Sequence, residues 1–257
     1  TTAVQTVTVN PTPSATPPDV QAYCNGLLTT PINLTGSPAE VVFDISGGSS
    51  IGLADQTGVT DIPAFTASTG TATIHITPRA NNCIGPEVTF TITVSPTPTV
   101  VSPGNQTFCS GVATSPIPLT GTPSGLTFNV SGGLAVGLSD QTGVTSIPSF
   151  TPTTGNTTIT ITPVADNCTG TPITINIVVN PTPTATNPGD QTFCSGTATT
   201  PISLTGTPPG VVFDITGGES VGLADRTGVS AIPSFVPVTG SATVRITPRT
   251  NNCTGPE

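Results

Sequence analysis

The sequence has 257 residues, and its charged fraction is 7%, with a net charge of −9 and no lysine. This composition excludes the clustered basic side chains that bind nucleic acid or an anionic membrane surface. No run approaches the roughly 20 apolar residues of a membrane span, and no basic start followed by an apolar run marks a signal peptide.

The chain contains three consecutive copies of one sequence repeat. Its opening cysteines follow one another at intervals of 85 residues, and so do its closing cysteines: Cys24, Cys109 and Cys194 open, and Cys83, Cys168 and Cys253 close. The register predicts a closing strand of a preceding module in residues 1–10. It then predicts a first repeat (11–95), a second repeat (96–180) and a third repeat (181–257), the last without its own closing strand.

Residues 2–9 alternate as a β-strand does, but their counterparts, residues 87–94 and 172–179, end a repeat. In residues 87–94 the pattern places Val88, Phe90, Ile92 and Val94 on one face of a half-buried strand. The simplest interpretation is that the sequence is a window of a longer repeat array, and the alternative is that residues 2–9 donate a strand to a neighbouring chain. They are Thr2, Ala3, Val4, Gln5, Thr6, Val7, Thr8 and Val9.

A joint of sequence Asn10-Pro11-Thr12-Pro13 follows and recurs at residues 95–98 and 180–183. Two prolines in three residues favour an extended path with little freedom. The joints predict that adjacent repeats form a semi-rigid rod.

Within each repeat, short apolar runs are separated by glycine-containing turns. Residues 41–45 predict a strand whose Phe43 is a core residue, as are Phe128 and Phe213 at the same position. Residues 71–78 predict a later strand with Ile74 and Ile76 facing inward. About seven short strands per repeat and no long helix predict an all-β protein of three antiparallel, immunoglobulin-like β-sandwiches.

The order of these motifs resembles PKD-like repeats. It comprises Asn-Pro-Thr-Pro, Cys-x-Gly, Ile-Gly-Leu-x-x-x-x-Gly-x-x-x-Ile-Pro-x-Phe, Ile-Thr-Pro and Asn-Cys-x-Gly, and it spans all three repeats. Such repeats often carry a tryptophan where this chain has Phe43. The resemblance implies immunoglobulin-like modules of giant secreted surface proteins of Bacteroidota, of the gliding-motility adhesin type.

The two cysteines of each repeat are 59 positions apart, and no odd thiol remains. With a single histidine and no close cysteine pairs, a zinc site is disfavoured. The spacing predicts one disulfide within each repeat, namely Cys24–Cys83, Cys109–Cys168 and Cys194–Cys253. Disulfides imply an oxidising compartment, which places the protein outside the cell.

Catalytic patterns are incomplete. Residues 48–52 match the Gly-x-Ser-x-Gly nucleophile motif, but the second repeat has Ala135 at the serine position. The single histidine, His75, serves at most one repeat, and its counterparts are Thr160 and Arg245. We therefore predict no enzyme activity and no cofactor.

Calcium is the stronger alternative among small ligands. Asp55, Asp140 and Asp225 occupy equivalent positions at the start of an Asp-x-Thr-Gly turn. Calcium prefers six to eight oxygen ligands, and each repeat offers one or two carboxylates there. Aspartate also favours such turns for structural reasons alone.

Together these features predict a structural spacer of an extracellular, cell-surface fibre or giant adhesin, whose partners are neighbouring modules or copies of itself. Two alternatives remain. One is a module that binds a surface polysaccharide through an exposed aromatic such as Tyr23. The other is a filament subunit that polymerises by strand donation.

Overall fold

A computed structural model describes residues 3–257. Their regular structure consists of β-strands and three short 3-10 turns, at Ser49–Ile51, Leu134–Val136 and Glu219–Val221. No helix in this part of the chain has the length and apolar character to cross a membrane. The all-β prediction is confirmed.

The chain forms two compact units. One comprises the chain up to residue 100 with residues 121–127 and 162–171, and the other comprises residues 101–120, 128–161 and 172–257.

The first repeat contains ten strands. They are β1 (Ser14–Thr16), β2 (Gln21–Cys24), β3 (Ile32–Asn33), β4 (Thr35–Ser37), β5 (Val42–Ser46), β6 (Gln56–Val59), β7 (Asp61–Ile62), β8 (Gly70–Ala80), β9 (Cys83–Ile84) and β10 (Val88–Ser95). The main sheet has the order β2-β10-β8-β5-β6, and β9 pairs with β8. The pairs β1-β4 and β3-β7 are separate from this sheet.

One strand pair departs from the predicted antiparallel sandwich. β2 runs parallel to β10, with Cys24 opposite Ser95. β1 pairs with β4, and the chain then passes through Pro17 and Pro18 into the main sheet. Prolines cannot continue a ladder of hydrogen bonds, so the chain leaves β1 and joins the main sheet at its edge in the same direction as β10.

The core of the first repeat follows the alternation of its strands. Phe43 is 1% exposed, and Ile74 and Ile76 are fully buried, as predicted. From β10, Ile92 and Val94 are buried against them. A closing strand therefore supplies part of the core as well as a row of backbone hydrogen bonds.

The second repeat has the same strands 85 positions later. They are β11 (Thr99–Val101), β12 (Gln106–Cys109), β13 (Ile117–Pro118), β14 (Thr120–Thr122), β15 (Thr127–Ser131), β16 (Gln141–Val144), β17 (Ser146–Ile147), β18 (Gly155–Ala165), β19 (Cys168–Thr169) and β20 (Ile173–Asn180). β12 is again parallel to β20, and β20 is antiparallel to β18.

Within the described residues, the third repeat has no counterparts of β2 and β10. It contains β21 (Thr184–Thr186), β22 (Ile202–Ser203), β23 (Thr205–Thr207), β24 (Val212–Thr216), β25 (Arg226–Val229), β26 (Ala231–Ile232), β27 (Arg245–Thr250) and β28 (Cys253–Thr254). β27 begins at Arg245, although the counterpart of Gly70, where β8 begins, is Gly240. Residues 191–194, the counterpart of β2, form no strand.

Candidate functional site

The disulfides join one repeat to the next. Cys24 is bonded to Cys168, and Cys109 to Cys253, at Cα separations of 5.6 and 5.7 Å. Partners are 144 positions apart in both cases. Each bond therefore links the opening cysteine of one repeat to the closing cysteine of the following repeat.

The predicted pairing within each repeat is wrong. In the first repeat Cys24 lies beside the end of β10, and the neighbouring Val94 pairs with Gly70, the first residue of β8. Cys83 pairs with Ala80, the last residue of the same strand. β8 is 11 residues long, so the two cysteines lie at opposite ends of the sandwich, about 30 Å apart at roughly 3.3 Å per residue. A disulfide requires Cα atoms within roughly 7 Å of each other. The pairs Cys24–Cys83, Cys109–Cys168 and Cys194–Cys253 are therefore not formed.

The opening cysteines Cys24 and Cys109 each belong to a hydrogen-bonded junction with the proline joint. In the first unit, the Asn25 amide donates to the Ser95 carbonyl at 2.9 Å, and the Thr97 hydroxyl donates to the Asn25 carbonyl at 3.0 Å. Gly170, the residue after β19 of the next repeat, lies against this joint. A Cβ on that glycine would meet the Pro98 carbonyl oxygen at 1.8 Å, so only glycine fits this position.

The second unit repeats this junction. The Ser110 amide donates to the Asn180 carbonyl at 2.9 Å, and the Asn180 side-chain amide donates to the Asn251 carbonyl at 3.3 Å. Gly255 lies against Pro183, where a Cβ would be 1.8 Å from the carbonyl oxygen. The closing strand, joint, opening cysteine and next hairpin thus form one repeated junction.

Two cysteines have no partner within residues 3–257. They are Cys83, which is half-buried, and Cys194, which is exposed. Cys83 is the closing cysteine of the first repeat, and Cys194 is the opening cysteine of the third. In the pattern of the two disulfides, the partner of Cys83 would belong to a preceding repeat and the partner of Cys194 to a following one.

The third repeat has an open groove. It has a volume of about 590 Å³, and its lining includes Phe193, Val221, Leu223, Val244 and Ile246. Beside it, residues 191–194 and 240–244 are irregular, whereas their counterparts in the first repeat, residues 21–24 and 70–74, lie in strands.

Apolar side chains of the third repeat are correspondingly uncovered. Ile74 and Ile159 are fully buried, but their counterpart Val244 is half-buried. Ile51 and Val136 are also fully buried, but Val221 is half-buried. Phe193 is 39% exposed, whereas Tyr23 and Phe108, at the same position, are half-buried. These apolar side chains share the lining of the groove with polar ones, among them Asp190, Gln191 and Thr243.

The strand-donor candidates Ala3, Val4, Gln5, Thr6, Val7, Thr8 and Val9 form no strand in this chain, and Thr2 lies outside the described residues. Val4, Val7 and Val9 are 92%, 76% and 87% exposed. The predicted strand conformation is thus not observed, because the segment has no neighbouring edge to pair with.

The calcium candidates make structural hydrogen bonds instead. Asp55 accepts from the Gly47 amide at 3.2 Å, Asp140 from Gly132 at 3.1 Å, and Asp225 from Gly217 at 3.2 Å. Each carboxylate fixes the glycine turn that follows the middle strand. Among the described residues no three His, Cys, Asp or Glu side chains come together as a possible metal site.

The serine motif and the histidine are separate features. Residues 49–51 form a 3-10 turn that ends at Gly52, with φ +91°, rather than the strand-to-helix turn that a nucleophile elbow requires. His75 Nδ1 lies 2.7 Å from Oε1 of Glu87, the residue before β10. Its counterpart Arg245 bonds Glu257 at 2.6 Å, so in the first and third repeats this position holds an exposed polar pair.

Tyr23 is not an open platform for sugar stacking. Its ring packs edge-to-face on Phe65, with ring centroids 6.2 Å apart. Phe108–Phe150 and Phe193–Phe235 repeat this contact at 5.8 and 5.9 Å. These aromatic pairs join β2 and its counterparts to the core.

These features define a class: tandem immunoglobulin-like β-sandwich repeats that disulfides link in series. No family model matches the chain. Over 166 residues it is 34% identical to the serine-rich adhesin for platelets of Staphylococcus aureus strain MRSA252, a match that covers 58% of this chain and 12% of the adhesin. The USA300 form matches equally over 7% of its length. The chain thus spans about a tenth or less of these relatives.

Two solved structures resemble this chain over most of its length. A three-domain titin fragment covers 95% of the chain at 9% identity, with a TM-score of 0.48 and 96% of its own length matched. A mouse cadherin-23 fragment covers 96% at 10% identity, with a TM-score of 0.31 and 96% of its own length matched.

Proposed function

We propose that this chain is a force-bearing spacer segment of an extracellular fibre or giant adhesin. The observation that carries the proposal is the pair of disulfides between consecutive repeats. They require an oxidising compartment, and the partial similarity to a staphylococcal adhesin supports a place at the cell surface. The motif order further supports a PKD-like repeat of the kind found in Bacteroidota gliding adhesins. Its role is structural rather than enzymatic.

The two disulfides overlap along the chain, and this arrangement limits extension under force. Cys109 lies between Cys24 and Cys168, and Cys168 lies between Cys109 and Cys253. The shortest covalent path runs from the first residue to Cys24, across to Cys168, back to Cys109 and across to Cys253. It contains about 90 residues, or about 300 Å at full extension, against about 900 Å for the whole chain.

Force spectroscopy on the chain held at its two ends tests this function. With both disulfides intact, unfolding should stop at a contour length of about 300 Å. After reduction the same molecule should reach about 900 Å. A contour length near 900 Å without reductant would contradict the proposal.

Matched cysteine variants make the test specific. Cys24→Ser with Cys168→Ser leaves one disulfide, and the shortest path then has about 114 residues, or about 400 Å. Cys83→Ser with Cys194→Ser removes the two thiols that have no partner and should leave the contour length at about 300 Å. The graded result would show that the cross-repeat bonds themselves carry the load.

Neither alternative is favoured by the contacts of the described residues, since residues 3–9 form no strand and the Tyr23 ring packs against Phe65. Glycan-array binding by the purified chain tests a surface polysaccharide as a partner of the fibre as a whole.

A further inference from the structure

We propose that the Cys24–Cys168 disulfide is a load-gated redox site. It is closed to small thiols while its junction is folded, and it opens to them when tension separates the two ends of the turn that carries Cys168. The inference rests on the proposed load-bearing function and adds a site and a chemical partner to it. That partner is a small aliphatic thiol, for which dithiothreitol is the probe.

The disulfide is covered in the folded chain. Cys168 is 1% exposed, and Cys24 is half-buried. The Cys168 Sγ lies 4.0 Å from the Tyr23 carbonyl oxygen. Two residues further on, Gly170 is buried, and its amide donates to the Pro163 carbonyl at 2.9 Å. A small thiol therefore meets packed backbone before it reaches the Cys168 sulfur.

Burial also opposes the exchange reaction itself. A thiolate attacks one sulfur of a disulfide, and the other sulfur leaves as a thiolate. Attack at Cys24, the more exposed of the two cysteines, expels the Cys168 thiolate into a buried site, where an unpaired charge is costly. The second repeat, residues 96–180, contains no lysine, arginine or histidine that could stabilise this charge. The closed junction therefore disfavours reduction at either sulfur.

Cys168 follows a tight turn that only a short strand holds in place. β19 is two residues long, and Cys168 pairs with Ala165 at the end of β18. The two turn residues between them, Asp166 and Asn167, have positive φ values of 49° and 62°. Few residues other than glycine, asparagine and aspartate adopt this backbone conformation. The turn can therefore open locally, without unfolding of the whole repeat.

The load path passes through this turn. Tension that reaches Cys24 crosses the disulfide to Cys168 and then continues back along the chain toward Cys109. Extension of the path pulls Cys168 away from Ala165, its partner across the turn. The residues between Cys168 and Cys253 lie off the path and bear no load while the bond is intact. Tension thus acts first on the turn that keeps Cys168 buried.

Once the turn is open, the dithiol reduces the bond in two exchanges. One thiolate of dithiothreitol attacks the Cys24 sulfur, the S–S bond breaks, and Cys168 leaves as a thiolate that takes a proton from solvent. The second thiol of the reagent loses its proton to solvent and attacks its own sulfur in the mixed disulfide, and Cys24 leaves as a thiolate that is protonated in turn. The protein gains two electrons and two protons, and dithiothreitol becomes a cyclic disulfide.

The first test is the rate at which dithiothreitol reduces the folded 257-residue chain. Cys83→Ser with Cys194→Ser removes the other thiols, and alkylation with peptide mapping follows the Cys24–Cys168 bond by itself. We expect the folded chain to react at least about 100-fold more slowly than the same chain in concentrated urea, because the reaction requires local opening. Equal rates in the two conditions overturn the inference.

Variants distinguish opening of the turn from unfolding of the repeat. Asn167→Ala should accelerate reduction about tenfold, because a left-handed backbone is costly for alanine. Asn167→Gly is the matched control, since glycine adopts this backbone freely, and it should change the rate less than about twofold. Ile147→Val removes a methyl group from a fully buried side chain of the same repeat, in β17, and should leave the rate unchanged. Equal acceleration by Asn167→Ala and Ile147→Val would mean that Cys168 is exposed only when the whole repeat unfolds, and it overturns the gate.

A constant-force experiment on the same chain in dithiothreitol tests the effect of load. Reduction of the Cys24–Cys168 bond lengthens the shortest path from about 300 Å to about 400 Å. We expect these steps to begin at a lower force in Asn167→Ala than in the parent chain or in Ile147→Val. An onset force that is the same in all three chains overturns gating by load. The contour length of the oxidised chain, on which the proposed function depends, is measured without any thiol, so the two proposals fail separately.

Discussion

The interior junctions and the ends of the chain contain equivalent sequence in different states. At the first junction β10 lies between β2 and β8, and Ile92 is fully buried. At the chain start its counterpart Val7 is 76% exposed, and at the third repeat the receiving edge is irregular. Local sequence is thus insufficient for these strands. We expect the closing strand to determine whether both of its neighbours form.

Removing the closing strand from an intact repeat is the strongest test of this comparison. Ile92→Asp puts an unpaired charge into the core and should lower the free energy of unfolding of the first repeat by about 4 kcal/mol or more. The repeat should then resemble the third one. Hydrogen exchange should show loss of protection in residues 21–24 and 70–74, with urea unfolding reporting the stability.

The matched control is Thr89→Asp, an exposed position on the same strand. It should change the stability by no more than about 0.5 kcal/mol. If Ile92→Asp lowers stability but leaves protection of residues 21–24 intact, β2 does not depend on β10 and the comparison is wrong.

The proline joint provides a second test, because it is anchored on both sides inside the chain and on one side at its start. Gly170→Ala drives a methyl group into the Pro98 carbonyl, and β10 and β11 hold that proline from either side. The expected cost is about 2 kcal/mol, typical of overpacking. Gly85→Ala makes the same clash with Pro13, but the irregular residues before that proline can move.

We therefore expect Gly85→Ala to cost about half as much, roughly 1 kcal/mol. Thermal unfolding of the two variants under oxidising conditions measures the difference. Equal costs would mean that the joint at the chain start is as firmly held as the interior one.

The sequence was sufficient for the core of each repeat. Alternation placed Phe43, Ile74 and Ile76 inside, and all three are buried. This success depends on the period of the apolar residues, which a sequence contains directly.

The cysteine pairing required three-dimensional knowledge. Two cysteines per repeat suggested a closed pair, but their separation is set by the length and direction of β8 between them. The parallel placement of β2 puts Cys24 at the end of the sandwich where the next repeat begins. One signal was present in the sequence. Cys109 follows the proline joint closely, whereas Cys83 precedes the final strand of its repeat, so the two kinds of cysteine belong to opposite ends.

The far edge of the sheet shows where the first and third repeats remain alike. Asp44 and Asp214 accept from the amides of Gly58 and Gly228 at 3.1 Å, and they pair with Arg79 and Arg249. In the second repeat Asn129 makes the same bond to Gly143 at 3.1 Å, and Val164 stands in place of the arginine. Both residues of the ion pair are therefore replaced in the second repeat, while the hydrogen bond to the turn glycine is kept.

Asp44→Asn therefore converts the first repeat to the chemistry of the second and should have the smallest effect. The amide oxygen still accepts from Gly58, and the lost ion pair is largely exposed, with the Arg79 side chain 46% accessible. Such pairs contribute about 0.5 kcal/mol. Asp44→Ala also removes the acceptor of the Gly58 amide and should cost about 1 kcal/mol more. Urea unfolding of both variants distinguishes the two contributions. Equal losses would mean that the ion pair, and not the turn hydrogen bond, stabilises this edge, and the asparagine in the second repeat would then make that repeat the weaker one.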